Sequence, residues 1–147
     1  LIMIDFGIRH QGYCSDETCT MVMGTPTPKQ KEIFNIVKTA HDRAIDKIKP
    51  GVSSQKIDKA ARGYIEKKGF GKYFGHGTGH GVGISLHEEP RISPLKNEIL
   101  EEGMVFTIEP GIYLPNWGGV RIEDMIVVTR GGCEVLTLVP KKLEIIN

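Results

Sequence analysis

Apolar residues recur along this chain with two different periods, and the places where the period changes outline its elements. Leu1 to Ile8 opens as a largely apolar run, which reads as a buried strand. A polar turn around Arg9 to Gly12 follows, then a second extended run from Thr18 to Met23 closed by Gly24. This pattern predicts a hairpin-like pair. At Thr25-Pro26-Thr27-Pro28 the signal becomes a helix start. Thr27 can cap, Pro28 fits the first helical position, and Gln30 completes a capping box. Phe34, Val37, Ala40, Ala44, Ile45 and Ile48 then recur at helical spacing until Pro50-Gly51 stops the helix. Ser53 or Ser54 opens a second helix, with Ile57, Ala60, Ala61, Tyr64 and Ile65 on one face and Gly69 at its end.

From Gly69 to Gly83 the texture is glycine- and histidine-rich, without a long apolar stripe. Extended segments resume at Met104 to Glu109, Gly119 to Thr129 and Cys133 to Leu138, the last two joined by a turn at Arg130-Gly131-Gly132. A hairpin, two helices and then several antiparallel strands predict an α+β fold, an antiparallel sheet with flanking helices.

Composition narrows the partners. A chain of 147 residues has room for one core, and 39% apolar with 25% charged residues is ordinary for a soluble globular protein. The formal net charge is +1 with no basic stripe, so no nucleic-acid partner is expected. No apolar run approaches the roughly 18 to 20 residues that span a bilayer, so no membrane partner is expected. Cys14, Cys19 and Cys133 are odd in number and match no zinc spacing, which reads as free thiols in the cytoplasm. Opening on Leu1-Ile2-Met3-Ile4, with no initiator Met and no polar slack, the chain reads as a fragment whose upstream portion is absent.

Five residues carry the chemistry: Asp5, Asp16, His80, Glu109 and Glu123. Asp5, Glu109 and Glu123 each sit in an otherwise apolar strand, where a carboxylate is costly unless it is paired or binds a cation. A shared metal would satisfy all three. Outward-facing positions on alternating strands are the alternative, evenly balanced for Asp5 taken alone. Gly75-His76-Gly77-Thr78-Gly79-His80-Gly81-Val82-Gly83 is the second feature, with His87 close behind. Its glycines would let the backbone approach a ligand closely, and its histidines offer imidazole nitrogens for metal or proton work. Asp5-Phe6-Gly7 matches the magnesium-binding tripeptide of kinases, but no Ala-Pro-Glu follows it. The glycine run fits G-x-G-x-x-G in no register, so nucleotide binding is unsupported.

Taken in order, Ile4-Asp5-Phe6-Gly7, Ser15-Asp16-Glu17-Thr18, His76-Gly77-Thr78-Gly79-His80, Thr107-Ile108-Glu109-Pro110-Gly111 and Val120-Arg121-Ile122-Glu123-Asp124 resemble the pita-bread metallopeptidases. That family includes methionine aminopeptidase, aminopeptidase P and prolidase. The resemblance implies a pita-bread fold with residues 1–147 as the C-terminal part of the catalytic domain. It implies that Asp5 binds one metal, that His80 and Glu109 bind a second, and that Asp16 and Glu123 bridge the two. A set this rich in oxygen suits Mn²⁺ or Co²⁺, with Zn²⁺ or Fe²⁺ compatible. Two ions roughly 3.5 to 4 Å apart would hold a hydroxide at neutral pH for attack on the scissile carbonyl.

By the same resemblance Glu109 manages the nucleophile's proton and His87 stabilises the tetrahedral intermediate. The pairing of His76 with His80 points to the proline-directed branch, with His76 lining the proline pocket. Arg121 would orient Glu123 or nearby substrate groups, a plain surface charge being its alternative. Arg91 could hold a substrate's terminal carboxylate, which favours dipeptides. Expected substrates are therefore proline-containing peptides, and the full-length protein is expected to be a homodimer. Methionine aminopeptidase activity and a non-catalytic binding role are the competing readings. One departure stands out: the family's usual Thr-Arg-Thr is here Thr18-Cys19-Thr20, so a positive charge near the metals is expected to be lost.

Overall fold

In the computed structural model, which describes residues 1–146, strand β1 (Ile2–Phe6) leads into a small ribbon rather than a simple turn. β2 (Arg9–His10) and β3 (Tyr13–Cys14) pair across Gln11 and Gly12, whose φ values are 49° and 91°. β4 (Glu17–Met23) then returns antiparallel to β1, with Asp5 opposite Thr18 and Ile4 opposite Cys19. The expected hairpin is present with this insertion at its tip.

Helix α1 (Pro28–Ile45) begins with the anticipated capping box. The Gln30 N–H donates to Thr27 Oγ1 at 3.2 Å, and the Thr27 N–H donates to Gln30 Oε1 at 2.8 Å. The helix ends earlier than the apolar spacing suggests. Ile48 stays buried beyond the end of the helix, its N–H donating to the Ile45 carbonyl at 3.0 Å. Helix α2 (Ser54–Lys67) follows, and a short 3-10 turn at Gly71–Tyr73 leads into the glycine run.

That run contains a strand. β5 (Gly79–Gly81) lies inside a five-stranded antiparallel sheet, between β6 (Glu88–Ile92) and β7 (Val105–Ile108). The glycines that flank His80 serve strand packing, not approach to a ligand. A Cβ on Gly79 would lie 1.8 Å from the Thr107 carbonyl oxygen, and one on Gly81 would lie 2.2 Å from that of Glu89. Neither β5 nor β6 shows the apolar enrichment from which strands are read.

The long extended stretch expected from Gly119 to Thr129 is two strands. β8 (Gly111–Leu114) and β9 (Gly118–Arg121) form a separate ribbon, while β10 (Asp124–Thr129) joins the main sheet beside β7. Between them Glu123 donates its N–H to the Thr18 carbonyl at 3.1 Å, which ties the main sheet to β4. β11 (Gly132–Val135) ends the five-stranded order β11-β10-β7-β5-β6. β12 (Glu144–Ile146) adds to β4 in parallel, the one exception to the antiparallel expectation among the described residues.

Both helices pack on one face of this sheet system. Val37, Ala40 and Ala44 of α1 and Ile57, Ala61 and Ile65 of α2 meet Phe106, Ile108, Ile126 and Val128 in one buried cluster. Alternation along the strands turns the intervening residues to the opposite face. Thus Phe106 and Ile108 enter the core, and Thr107 faces away from it. No described helix is long and apolar enough to cross a membrane.

Gly79→Ala is expected to destabilise the fold by about 1–3 kcal/mol or more, since the new methyl meets backbone that cannot swing aside. Denaturant unfolding beside Gly75→Ala, where a Cβ meets nothing within 4 Å, is the check. Equal loss in both variants would contradict the packing role.

Candidate metal centre

The strand faces turned away from the helices collect acidic side chains. Asp16 lies just before β4, His80 in the middle of β5, Glu109 just past β7 and Glu123 in the break before β10. One ligand-type atom each of Asp16, His80 and Glu123 lies within 4.8 Å of the others, and all three residues are buried. His80 Nε2 is 3.4 Å from Glu109 Oε1 and 3.6 Å from Asp16 Oδ2. Asp5 is the outlier, with its side chain half exposed and its Oδ2 held by Arg121 Nη2 at 2.5 Å. It borders the same region, since its charge is felt at Asp16, Glu109 and Glu123.

Hydroxyls set the carboxylate angles. Thr18 Oγ1 donates to Glu123 Oε2 at 2.5 Å, and Thr107 Oγ1 lies 3.3 Å from Glu109 Oε1 while accepting from the His80 N–H at 3.1 Å. Burial dominates the electrostatics. It pushes Glu109 up to about 7, with Arg121 opposing and the Asp16 charge adding. It pushes Glu123 up to about 8, reinforced by Glu109, and raises Asp16 above the usual carboxylate range, reinforced by Asp5. Burial also lowers His80, which favours a neutral imidazole able to act as a ligand.

A cleft of about 470 Å³ opens beside this cluster. His80, Glu109, His76, His87, Arg91 and Arg121 all line it. Arg91 sits opposite His80 in the β5–β6 register, and the His87 ring lies 4.1 Å from that of His80. His76 has both nitrogens committed: Nδ1 to the Gly77 carbonyl at 2.8 Å, and Nε2 to the Tyr113 hydroxyl at 2.9 Å. Its ring therefore offers the cleft an apolar wall, and burial lowers its pKa.

Arg121 is no surface charge. Nε donates to Thr18 Oγ1 at 3.1 Å, Nη1 to the Tyr113 hydroxyl at 3.2 Å and Nη2 to Asp5. It reaches Glu123 only through Thr18. Cys19 stands on the opposite face of β4 from Thr18, among Glu17 and Lys141, so the Cys-for-Arg departure does not fall on the ligand face. Tyr113 and the Asp58–Arg62 pair carried no motif signal, yet both shape the site. Arg62 binds Asp58 through two nitrogens at 2.9 Å each and donates to the Phe74 and His76 carbonyls, while Thr78 Oγ1 donates to Asp58. Those contacts hold the glycine run on α2.

The donor set fits divalent cations. Asp16, His80, Glu109 and Glu123 crowd together with Asp5 nearby, and burial disfavours their charges unless a cation or protons compensate. Because Glu109 and Glu123 titrate well above their unfolded values, these two groups hold more protons in the metal-free fold than in the unfolded chain between about pH 4.5 and 8, while the lowered His76 and His80 oppose them below about pH 6.5. Their contribution to stability is complete below the unfolded pKa and disappears as pH rises through 7 to 8. The melting temperature in chelator should accordingly fall from about pH 6.5 to pH 8, where the opposing imidazoles are largely neutral in both states, and less steeply in Glu123→Gln. A rise over that range in the wild type would contradict this assignment.

The model of metallopeptidase family M24 matches residues 1–130. The Xaa-Pro dipeptidase of Pyrococcus horikoshii is 49% identical over 143 residues, which cover 97% of this chain and 41% of that protein. Among solved structures, the Xaa-Pro dipeptidase of Bacillus anthracis superimposes with a TM-score of 0.96 at 50% identity, covering 98% of this chain and 41% of that one. The X-Pro aminopeptidase of Thermotoga maritima does so with 0.95 at 42% identity, covering 98% and 41%. The chain thus spans about two fifths of the length of the relatives it matches. Its fold is the pita-bread fold expected from the motifs, and the chain belongs to metallopeptidase family M24.

Proposed function

We propose that this chain carries the metal centre of an enzyme that hydrolyses the peptide bond preceding proline, in X-Pro dipeptides or at the N-terminus of longer peptides. The observation that carries this reading is the buried meeting of Asp16, His80 and Glu123, with Glu109 beside them, at the edge of a cleft lined by His76 and His87. Relatives named as Xaa-Pro dipeptidases support the proline-directed branch over methionine removal, as does the His76–Tyr113 wall.

In this reading Asp5, Asp16, His80, Glu109 and Glu123 would together hold two divalent ions. Four carboxylates and one imidazole favour Mn²⁺ or Co²⁺. When bound, the pair of ions supplies a nucleophilic water at neutral pH and polarises the scissile carbonyl. The side chains do the rest. Glu109 accepts the proton of the attacking water at its carboxylate and passes it to the leaving prolyl nitrogen. His87 donates to the oxygen that becomes negative as the carbonyl turns tetrahedral. The His76 ring packs against the proline, fixed in angle by Tyr113 and Gly77. Arg121 holds Asp5 directly and Glu123 through Thr18, so that the ligands keep their orientation. Arg91 pairs with the free carboxylate of a dipeptide's proline. The free cysteines support a cytoplasmic setting.

Hydrolysis of an X-Pro dipeptide, an X-Pro-X tripeptide and a Met-Ala peptide, with and without Mn²⁺ or Co²⁺, tests the reading. Metal-dependent cleavage of the proline substrates is expected, and Glu109→Ala should lower kcat by about 10²- to 10⁴-fold. Cleavage of the Met-Ala peptide alone would reject the proline-directed branch. Arg91→Ala is expected to raise KM for the dipeptide by roughly tenfold or more while leaving the tripeptide's KM nearly unchanged, the loss of a charged hydrogen bond to the carboxylate. A uniform change for both substrates would remove Arg91 from carboxylate recognition.

A further inference from the structure

The residues next to two of the proposed ligands meet on the reverse side of the strands. Glu17 follows Asp16, and Asp124 follows Glu123. Alternation along β4 and β10 points each pair to opposite faces, so Glu17 and Asp124 look away from the metal centre. There the ammonium of Lys141 contacts Glu17 Oε1 directly and lies 3.3 Å from Asp124 Oδ1. All three side chains are nearly shut off from solvent, Lys141 with 6% of its surface exposed.

The segment that delivers Lys141 is stitched to the same two carboxylates. The Val139 N–H donates to Glu17 Oε1 at 3.0 Å, and Thr137 Oγ1 donates to Asp124 Oδ1 at 2.5 Å. From α1, His41 Nε2 lies 3.1 Å from Asp124 Oδ2. A buried cation shared by two carboxylates on different strands restrains the distance between them, because separating either would leave an uncompensated buried charge. Main-chain pairing between the two strands is thin at this point, a single bridge from Glu123 to Thr18.

We propose that Lys141 is a positioning residue of the metal centre: by tying Glu17 to Asp124 it fixes the separation of Asp16 and Glu123 on the opposite face. This rests on the two-ion reading above. Among the described residues the ion pairs of Lys141 go to Glu17 and Asp124, neither of them a proposed ligand, so its effect passes through the two strands. Groups that orient metal ligands from outside the ligand set typically change metal affinity by about 10- to 100-fold when removed. The neighbouring Lys142 supplies the contrast, since it is exposed and, among the described residues, pairs only with Glu144 at 3.0 Å.

The test is Mn²⁺ binding by calorimetry to the metal-stripped full chain, with folding followed by circular dichroism. Glu17→Gln/Lys141→Met removes the tether along with the charge that would otherwise be stranded on Glu17, and leaves Asp124 with Thr137 and His41 as its partners. Glu17→Gln alone is the milder variant, and Lys142→Met is the control. Wild type and control should bind two ions alike, and the double variant should stay folded while its weaker Mn²⁺ step loses about 10- to 100-fold in affinity. Wild-type affinity in a folded double variant would overturn the proposal. If the double variant does not fold, Glu17→Gln decides on the same criterion. Unfolding of both would also overturn it, because the triad would then hold the fold rather than the ligands. Uptake of one ion by wild type would count against the dinuclear reading, and Lys141 would be judged on that ion. Uptake of none would remove both.

Discussion

Four carboxylates packed near one imidazole, two of them buried and a third only slightly exposed, form the constraint that the rest of this structure answers to. Buried acids left to themselves stay protonated, as the upward shifts of Glu109 to about 7 and Glu123 to about 8 express. A fold that keeps such a cluster must hold each oxygen against mutual repulsion. Thr18, Thr107 and Arg121 do so from within the site. The hydroxyls restrict where each carboxylate points, and Arg121 places a permanent positive charge beside Asp5. The Cys19 substitution is tolerable in this light, because its side chain lies on the other face and Arg121 already supplies charge on the ligand side.

Strand alternation lets one sheet serve two incompatible environments. Phe106 and Ile108 fill the helical core while Thr107, between them, and Glu109, beyond them, face the acidic cluster. The same alternation separates Glu123 from Asp124, giving one carboxylate to the site and the other to a buried ion network with Lys141. Glycine makes the middle of this arrangement possible. Only a residue without a side chain fits at Gly79 and Gly81, and that close packing sets His80 among the carboxylates.

Much of this could be read from the chain alone. Asp5, Glu109 and Glu123 stood out because a carboxylate in an apolar strand is a contradiction that demands a partner, and the helices were announced by Thr27, Pro28 and a clear periodicity. The strands around His80 were hidden because β5 has glycine where β-branched residues normally signal a strand. The break at Ile122-Glu123 was hidden for the opposite reason: hydrophobicity runs unbroken from Val120 to Val128 apart from the charged residues, and only pairing with Thr18 divides it. Tyr113, Arg62 and Lys141 act across 37, 14 and up to 124 residues of sequence, and no local pattern encodes such contacts.

On the proposed reading, Asp5, Asp16, His80, Glu109 and Glu123 together form one site for two divalent ions. Crystals of the full chain grown with Mn²⁺, with anomalous scattering measured above and below the manganese edge, test it most directly. The account predicts two anomalous peaks about 3.5–4 Å apart among these five side chains. A single peak, or manganese bound elsewhere with these carboxylates left unliganded, would contradict it.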